Sequence, residues 1–158
     1  MAISVDQTHS ILERLEQFGV PCLLFGGWAE EAFGIAAPRD HRDIDLLLPA
    51  NSFSSLDKLL NSQSAELTEI RLKRFAHKRA FRCEGTVVEI ILVQESEQSA
   101  VTLFWGNNPF HWKLPLEEEC TLGGRRLRVV SRENLVFYRQ HHALTQPDRW
   151  KDPASLLQ

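Results

Sequence analysis

The chain has 158 residues, 43% hydrophobic and 25% charged, with a formal net charge of −3. That length suffices for one domain, residues 1–158, to bury a core without disulfide or metal staples, and the composition excludes disordered and fibrous classes. The acidic balance excludes a protein dedicated to bulk nucleic acid, whose domain would be basic, yet leaves room for a local basic pocket.

In chain order, the first pattern is helical. Val5, Thr8, Ile11, Leu12, Leu15 and Phe18 recur on one face; Ser4 and Gln7 have capping-box spacing, Asp6 sits in the first turn, and Gly19 is placed to stop the helix. Val20 to Phe25 is a short apolar run before two glycines and reads as a strand. Trp28 to Phe33 reads as a helix ended by Gly34, Ile44 to Leu48 as a buried strand ended by Pro49, and Phe53 to Leu60 as a helix. Ala65 to Leu72 is expected to be a strand. His77 to Cys83 and Thr86 to Val93 are expected to form a hairpin turning at Glu84-Gly85. A second hairpin is expected around Gly123-Gly124, from Thr121-Leu122 to Arg125–Val130, and Ser131 caps a helix over about Glu133–Ala143. The order predicts an α/β (α+β) single domain with one mixed sheet flanked by helices.

Cys22, Cys83 and Cys120 form no CxxC pair and have no zinc-like histidine spacing, so they read as buried, reduced thiols. The N-terminus carries no apolar, basic-flanked leader and no run is long enough to span a bilayer. A cytoplasmic protein with no membrane partner is expected.

Three features carry the chemistry. Phe25-Gly26-Gly27-Trp28 joins a strand end to a helix start, where glycines let a ligand approach the backbone and free amides favour phosphate; an ordinary turn is the alternative. In His41-Arg42-Asp43-Ile44-Asp45, residues i and i+2 share a strand face, so Asp43 and Asp45 project together. Carboxylates that close repel unless a cation sits between them; two solvated acids at an exposed strand end are the alternative. Glu89 lies mid-run in Thr86–Val93, in a strand apolar on both faces. It needs a partner, either a metal shared with the two aspartates or a nearby arginine.

Fifteen residues separate Gly27 from Asp43, and forty-three separate Asp45 from Glu89. With this composite the chain resembles the DNA-polymerase-β-like nucleotidyltransferase superfamily. The stretch GGWAEEAFGIAAPRDHRDIDLLL is especially similar to the small nucleotidyltransferases that modify lincosamides and aminoglycosides, and a looser likeness runs through LGGRRLRVVSRENLVFYRQHHALTQPDRWKDPASLL. The resemblance implies the nucleotidyltransferase fold, with Asp43, Asp45 and Glu89 holding two Mg²⁺ ions and Gly26 and Gly27 against the triphosphate. Glu89 could instead serve as general base. Arg39 and Arg42 either fork onto phosphate or neutralise neighbouring acids. Lys151 matches a late Lys-Asp element that reaches the nucleotide or forms a salt bridge, and few residues follow it to build an acceptor pocket. His41 orients an aspartate or packs. Trp28 stands where the widespread form of the motif has a phosphate-binding serine.

The implied partners are a nucleoside triphosphate, ATP first, and a small hydroxylated acceptor such as an antibiotic, with pyrophosphate released. A toxin–antitoxin-type enzyme acting on protein or RNA and a non-catalytic nucleotide-binding module are the alternatives. Phe104, Trp105, Phe110 and Trp112 read as core or a homodimer contact, with a substrate wall as the alternative.

Overall fold

The computed structural model describes residues 2–62 and 66–141. Helix α1 (Val5–Gln17) begins with the expected capping box: Ser4 Oγ accepts from the Gln7 amide and the Gln7 side chain accepts from the Ser4 amide. Thr8, Ile11 and Leu15 are buried along its inner face. Phe18 continues the helical spacing but lies past the last turn, at the C-cap, and is 43% exposed. After β1 (Leu23–Phe25), helix α2 (Gly26–Ala32) starts two residues before the expected Trp28, with Gly34 in the left-handed region behind it. Strand β2 (Asp43–Pro49) and helix α3 (Ser54–Asn61) follow as anticipated.

The expected strand over Ala65–Leu72 is mostly not one. Only β3 (Leu67–Glu69) pairs, between Glu66 at φ 56° and a 3₁₀ turn at Arg71–Lys73; Ala65 lies outside the described residues. Each of the two anticipated hairpins closes on two left-handed residues, the conformation that matches the twist of paired strands. These are β4 (Lys78–Cys83) with β5 (Thr86–Glu95), through Glu84 and Gly85, and β8 (Glu117–Leu122) with β9 (Arg125–Val130), through Gly123 and Gly124. Between them lies an unanticipated hairpin of β6 (Ala100–Phe104) and β7 (Asn108–His111), seated on the end of β5. Helix α4 (Arg132–His141) follows; the Asn134 amide donates to Ser131 Oγ.

The strands make one mixed sheet ordered β3-β4-β5-β2-β1-β9-β8, with β6 and β7 attached to β5. Parallel pairing joins β2 to β5 and β1 to β9, so β2 is central and enclosed. Its alternate residues Ile44, Leu46 and Leu48 pack in the core, and Leu47 is also fully buried. On that face Ile11 and Leu15 of α1 line a small cavity with Phe81 and Cys83 of β4. The other face carries an aromatic cluster: Phe25 meets Trp112 edge-on at 5.7 Å and Tyr138 at 5.0 Å, and Phe110 lies 4.8 Å from Trp112. Phe104, Phe110 and Trp112 are buried and Trp105 is partly so; this group is core.

Candidate active site

The parallel register sets Asp45 directly beside Glu89 and Asp43 beside Val87. Because the pleat has a period of two, Asp43, Asp45 and Glu89 share one face. One carboxylate oxygen from each can be chosen so that all three lie within 4.8 Å of one another. Phe25 opposes Asp45 from β1, so the site backs onto the aromatic cluster.

Space is tight at both glycines, and at Gly26 it demands glycine. A Cβ on Gly26, which has φ +62°, would stand 2.5 Å from Asp45 Oδ2; on Gly27 it would stand 2.5 Å from an Arg39 guanidinium nitrogen and 3.1 Å from the His41 ring. At position 26 a side chain would run into the Asp45 carboxylate; at position 27 it would displace the end of the Arg39 side chain and press on the His41 ring. Phe25 occupies the N-cap of α2 and provides no side-chain acceptor for its first amides.

The cations fall into two groups. Arg39 lies against Gly27 and donates to the Asp40 carbonyl at 3.3 Å, while Arg42 is exposed. Lys151 lies outside the described residues. His41 packs: it is buried, its ring is 4.1 Å from that of Trp28, and its Nε2 lies 3.0 Å from Glu31 Oε1, so its partner is a glutamate of α2 and neither motif aspartate.

Glu89 does have cationic partners, but they are lysines where arginine was the expected alternative to metal. Lys73 Nζ donates to Oε1 at 2.6 Å and Lys78 Nζ reaches Oε2 at 3.1 Å. Lys78 was legible in principle: with β4 antiparallel to β5, Lys78 and Ala80 share the face of Glu89. Lys73 was not, because it arrives from the 3₁₀ turn.

These contacts divide the acids electrostatically. Burial raises the Asp45 pKa to about 8, with the charges of Asp43 and Glu89 adding to the effect. Burial, then Glu89, also raises Asp43. Glu89 is buried too, but Lys78 and Lys73 outweigh that and hold it below the usual range. Without a cation, three acids share one pocket and the most enclosed keeps its proton. The donor set is oxygen only, as Mg²⁺ prefers.

A family model described as aminoglycoside-2''-adenylyltransferase matches residues 7–154. No curated protein matches the chain. Among solved structures, the fold is similar to that of LnuA, a lincosamide antibiotic adenylyltransferase bound to lincomycin, at 16% identity and TM-score 0.70 over 99% of this chain and 98% of that one. It is also similar to ANT(2'')-Ia in complex with adenylyl-2''-tobramycin, at 18% identity and TM-score 0.66 over 88% and 75% of the two chains. A nucleotidyltransferase-fold protein from Thermotoga maritima shares 16% identity at TM-score 0.55 over 86% and 83%. The mixed sheet with its flanking helices is thus the nucleotidyltransferase fold, and no helix among the described residues is long and apolar enough to cross a membrane. The chain belongs to the aminoglycoside-2''-adenylyltransferase family and is a nucleotidyltransferase.

Proposed function

We propose that the enzyme transfers a nucleoside monophosphate from a nucleoside triphosphate, ATP in the first instance, to a hydroxyl of a small antibiotic-like acceptor. The acceptor oxygen bonds to the α-phosphorus as the bond to the β-phosphate oxygen breaks; its electron pair leaves with pyrophosphate, and the hydroxyl proton passes to solvent. The observation that carries this reading is the meeting of Asp43, Asp45 and Glu89 within 4.8 Å, beside a glycine with no room for a Cβ.

Those three side chains fit a pair of Mg²⁺ ions by their oxygen donors and mutual repulsion. Bound there, Mg²⁺ supplies Lewis acidity to the acceptor hydroxyl and to the phosphates. The protein's own part is positioning. Gly26 and Gly27 allow the triphosphate against the backbone at the start of α2, and Arg39 and Arg42, from the segment entering β2, supply forked donors to phosphate. Lys151 joins them on the strength of the family match through residue 154. Lys73 and Lys78 keep Glu89 ionised and so a weak base, which favours its role as ligand. A pool of nucleoside triphosphate and reducing conditions suited to three free thiols both point to the cytoplasm as its place of work.

The test is pyrophosphate release with each nucleoside triphosphate and Mg²⁺ against hydroxylated acceptors, alongside thermal melts. Mg²⁺ with ATP should raise Tm more than either alone. A wild-type protein whose melting point ignores Mg²⁺-ATP would sink the proposal.

A further inference from the structure

The segment 33–42 between α2 and β2 carries Arg39 and Arg42, and it contains no helix or strand to hold them. Its near end is pinned where the Ile35 and Ala36 amides donate to the Glu30 carbonyl, at 2.9 and 3.3 Å. Its far end is pinned where the His41 carbonyl accepts from the Ile3 amide at 3.1 Å. Between those points one side chain reaches across. Glu31 of α2 accepts from the Arg39 amide at 3.2 Å and meets His41 Nε2 at 3.0 Å, both on the same carboxylate oxygen. A carboxylate only accepts, so Nε2 carries the hydrogen between them.

What Glu31 holds is also what borders Gly27. A Cβ there would stand 2.5 Å from Arg39 Nη2 and 3.1 Å from both Nδ1 and Cε1 of His41. The ring is thus gripped at Nε2 and presents its Nδ1–Cε1 edge to the glycine, with Trp28 packed on it at 4.1 Å. Arg39 itself is exposed. Among the described residues its guanidinium donates only to the Asp40 carbonyl, at 3.3 Å, and pairs with no acid. A long side chain with so little to fix it depends on its backbone for position. Burial and Glu89 raise the Asp43 pKa and the Arg39 charge opposes them, so the guanidinium stands within electrostatic reach of the acids.

We propose that Glu31 is a positioning residue of the nucleotide site: by holding the Arg39 amide and the His41 ring, it sets the Arg39 guanidinium beside Gly27 for the triphosphate. This rests on the nucleotidyl-transfer reading above, in which phosphate lies at the glycines. Hydrogen bonds to a carboxylate are charge-assisted and so among the firmer ones a loop can make. The Glu31 side chain is 14% exposed and that of His41 3%, which keeps this tie largely out of water. It orders Arg39 before the nucleotide arrives and so reduces the entropy lost on binding.

The experiment uses the full chain and calorimetric titration with α,β-methylene-ATP in the presence of Mg²⁺. Arg39→Ala should weaken the analogue by about tenfold, the scale of one charge-assisted bond to phosphate. Glu31→Ala, a step removed from the phosphate, should weaken it by about the same factor. The double variant should bind no more weakly than Arg39→Ala alone, because both changes remove the same contact. Glu31→Gln, whose amide oxygen still accepts from both donors, should bind within about twofold of wild type. Should Glu31→Ala not fold, Glu31→Asp, one methylene shorter, takes its place and should weaken the analogue by about threefold. The proposal is overturned by unchanged binding in the Glu31→Ala or Glu31→Asp protein, or by Glu31→Gln binding as weakly as Glu31→Ala. Full additivity in the double variant overturns it too, as does Arg39→Ala binding like wild type. Failure of the underlying reading shows separately, as a wild-type protein that takes up no Mg²⁺-nucleotide at all.

Discussion

The two faces of the β4–β5 hairpin hold acids and bases from the same few residues, arranged to opposite ends. On one face Asp57 accepts from Arg79 at 2.8 and 3.2 Å and from Arg74 at 3.1 Å, while Glu69 takes a second bond from Arg74. Hydrogen bonds and charge from Arg79 and Arg74 overcome burial and lower the Asp57 pKa. On the other face Asp43, Asp45 and Glu89 lie beside two lysines, both ion-paired with Glu89, and the Asp45 pKa is raised. The first arrangement satisfies its charges internally and needs no ligand. The second leaves a deficit of positive charge that an incoming cation completes. An acid cluster becomes a site through this shortage, whatever its number of acids.

Replacing the acids one face at a time breaks the comparison most sharply. Asp45→Asn should lower turnover by roughly 10³-fold, the scale of losing an electrostatic element of the transition state. It should also abolish the extra melting-point rise from Mg²⁺ with ATP while leaving metal-free stability equal or higher. Melts and pyrophosphate release measured on the same preparation check both halves; a mutant that keeps the full Mg²⁺-ATP shift would remove Asp45 from the site.

Acidity separates the faces next. A folded pKa raised to about 8 means that folded Asp45 holds its proton more tightly than the unfolded chain does. Metal-free stability should therefore fall as pH rises from near 4, the usual aspartate range, toward 8, by on the order of a few kcal/mol, and level off above. Asp57 has the opposite sign: its folded pKa is depressed, so its contribution is present above about 4 and lost only as pH falls through the lower folded value. Denaturant titrations across pH should show the first slope in wild type, and Asp45→Asn should flatten it. A wild-type curve flat between pH 5 and 8 contradicts the raised pKa.

Gly26→Ala comes third. A methyl group 2.5 Å from Asp45 Oδ2, at φ +62°, should cost about 1–3 kcal/mol and weaken Mg²⁺-ATP binding. Gly34→Ala also sits at positive φ, but nothing lies within 4 Å of its Cβ; it should lose stability without losing nucleotide response. The smallest effect is reserved for the satisfied face. Asp57→Asn should destabilise by about 1–2 kcal/mol and leave the Mg²⁺-ATP shift intact.

Much of this site could be read from the chain because its parts are short-range. Period two put Asp43 and Asp45 on one face, and an apolar run around Glu89 marked a central strand. Both turn pairs, Glu84-Gly85 and Gly123-Gly124, announced their hairpins through residues that tolerate left-handed backbone. What escaped notice depended on tertiary placement. The β6–β7 hairpin turns at Trp105 (φ 61°) and Gly106 (φ 86°), where a tryptophan takes a conformation its side chain disfavours; its aromatic neighbours looked like undirected core. Lys73 stands in a segment of strand-like composition that instead folds as a 3₁₀ turn, with Leu72 64% exposed, so its approach to Glu89 follows from the fold and not from spacing.

The pairing of Glu89 with Lys73 and Lys78 also bears on how the chain reaches its fold. Both lysines lie within 16 residues of Glu89, across a tight hairpin and its approach, whereas the aspartates must come from beyond α3 through a parallel pairing. Short loops close early and parallel contacts of long range close late. The glutamate is therefore expected to meet its counter-ions as the hairpin forms, before the aspartates join the strand. On that order no stage of assembly has to bring three bare acids together, and the crowding that suits the site to a cation is expected to arise when β2 docks on β5.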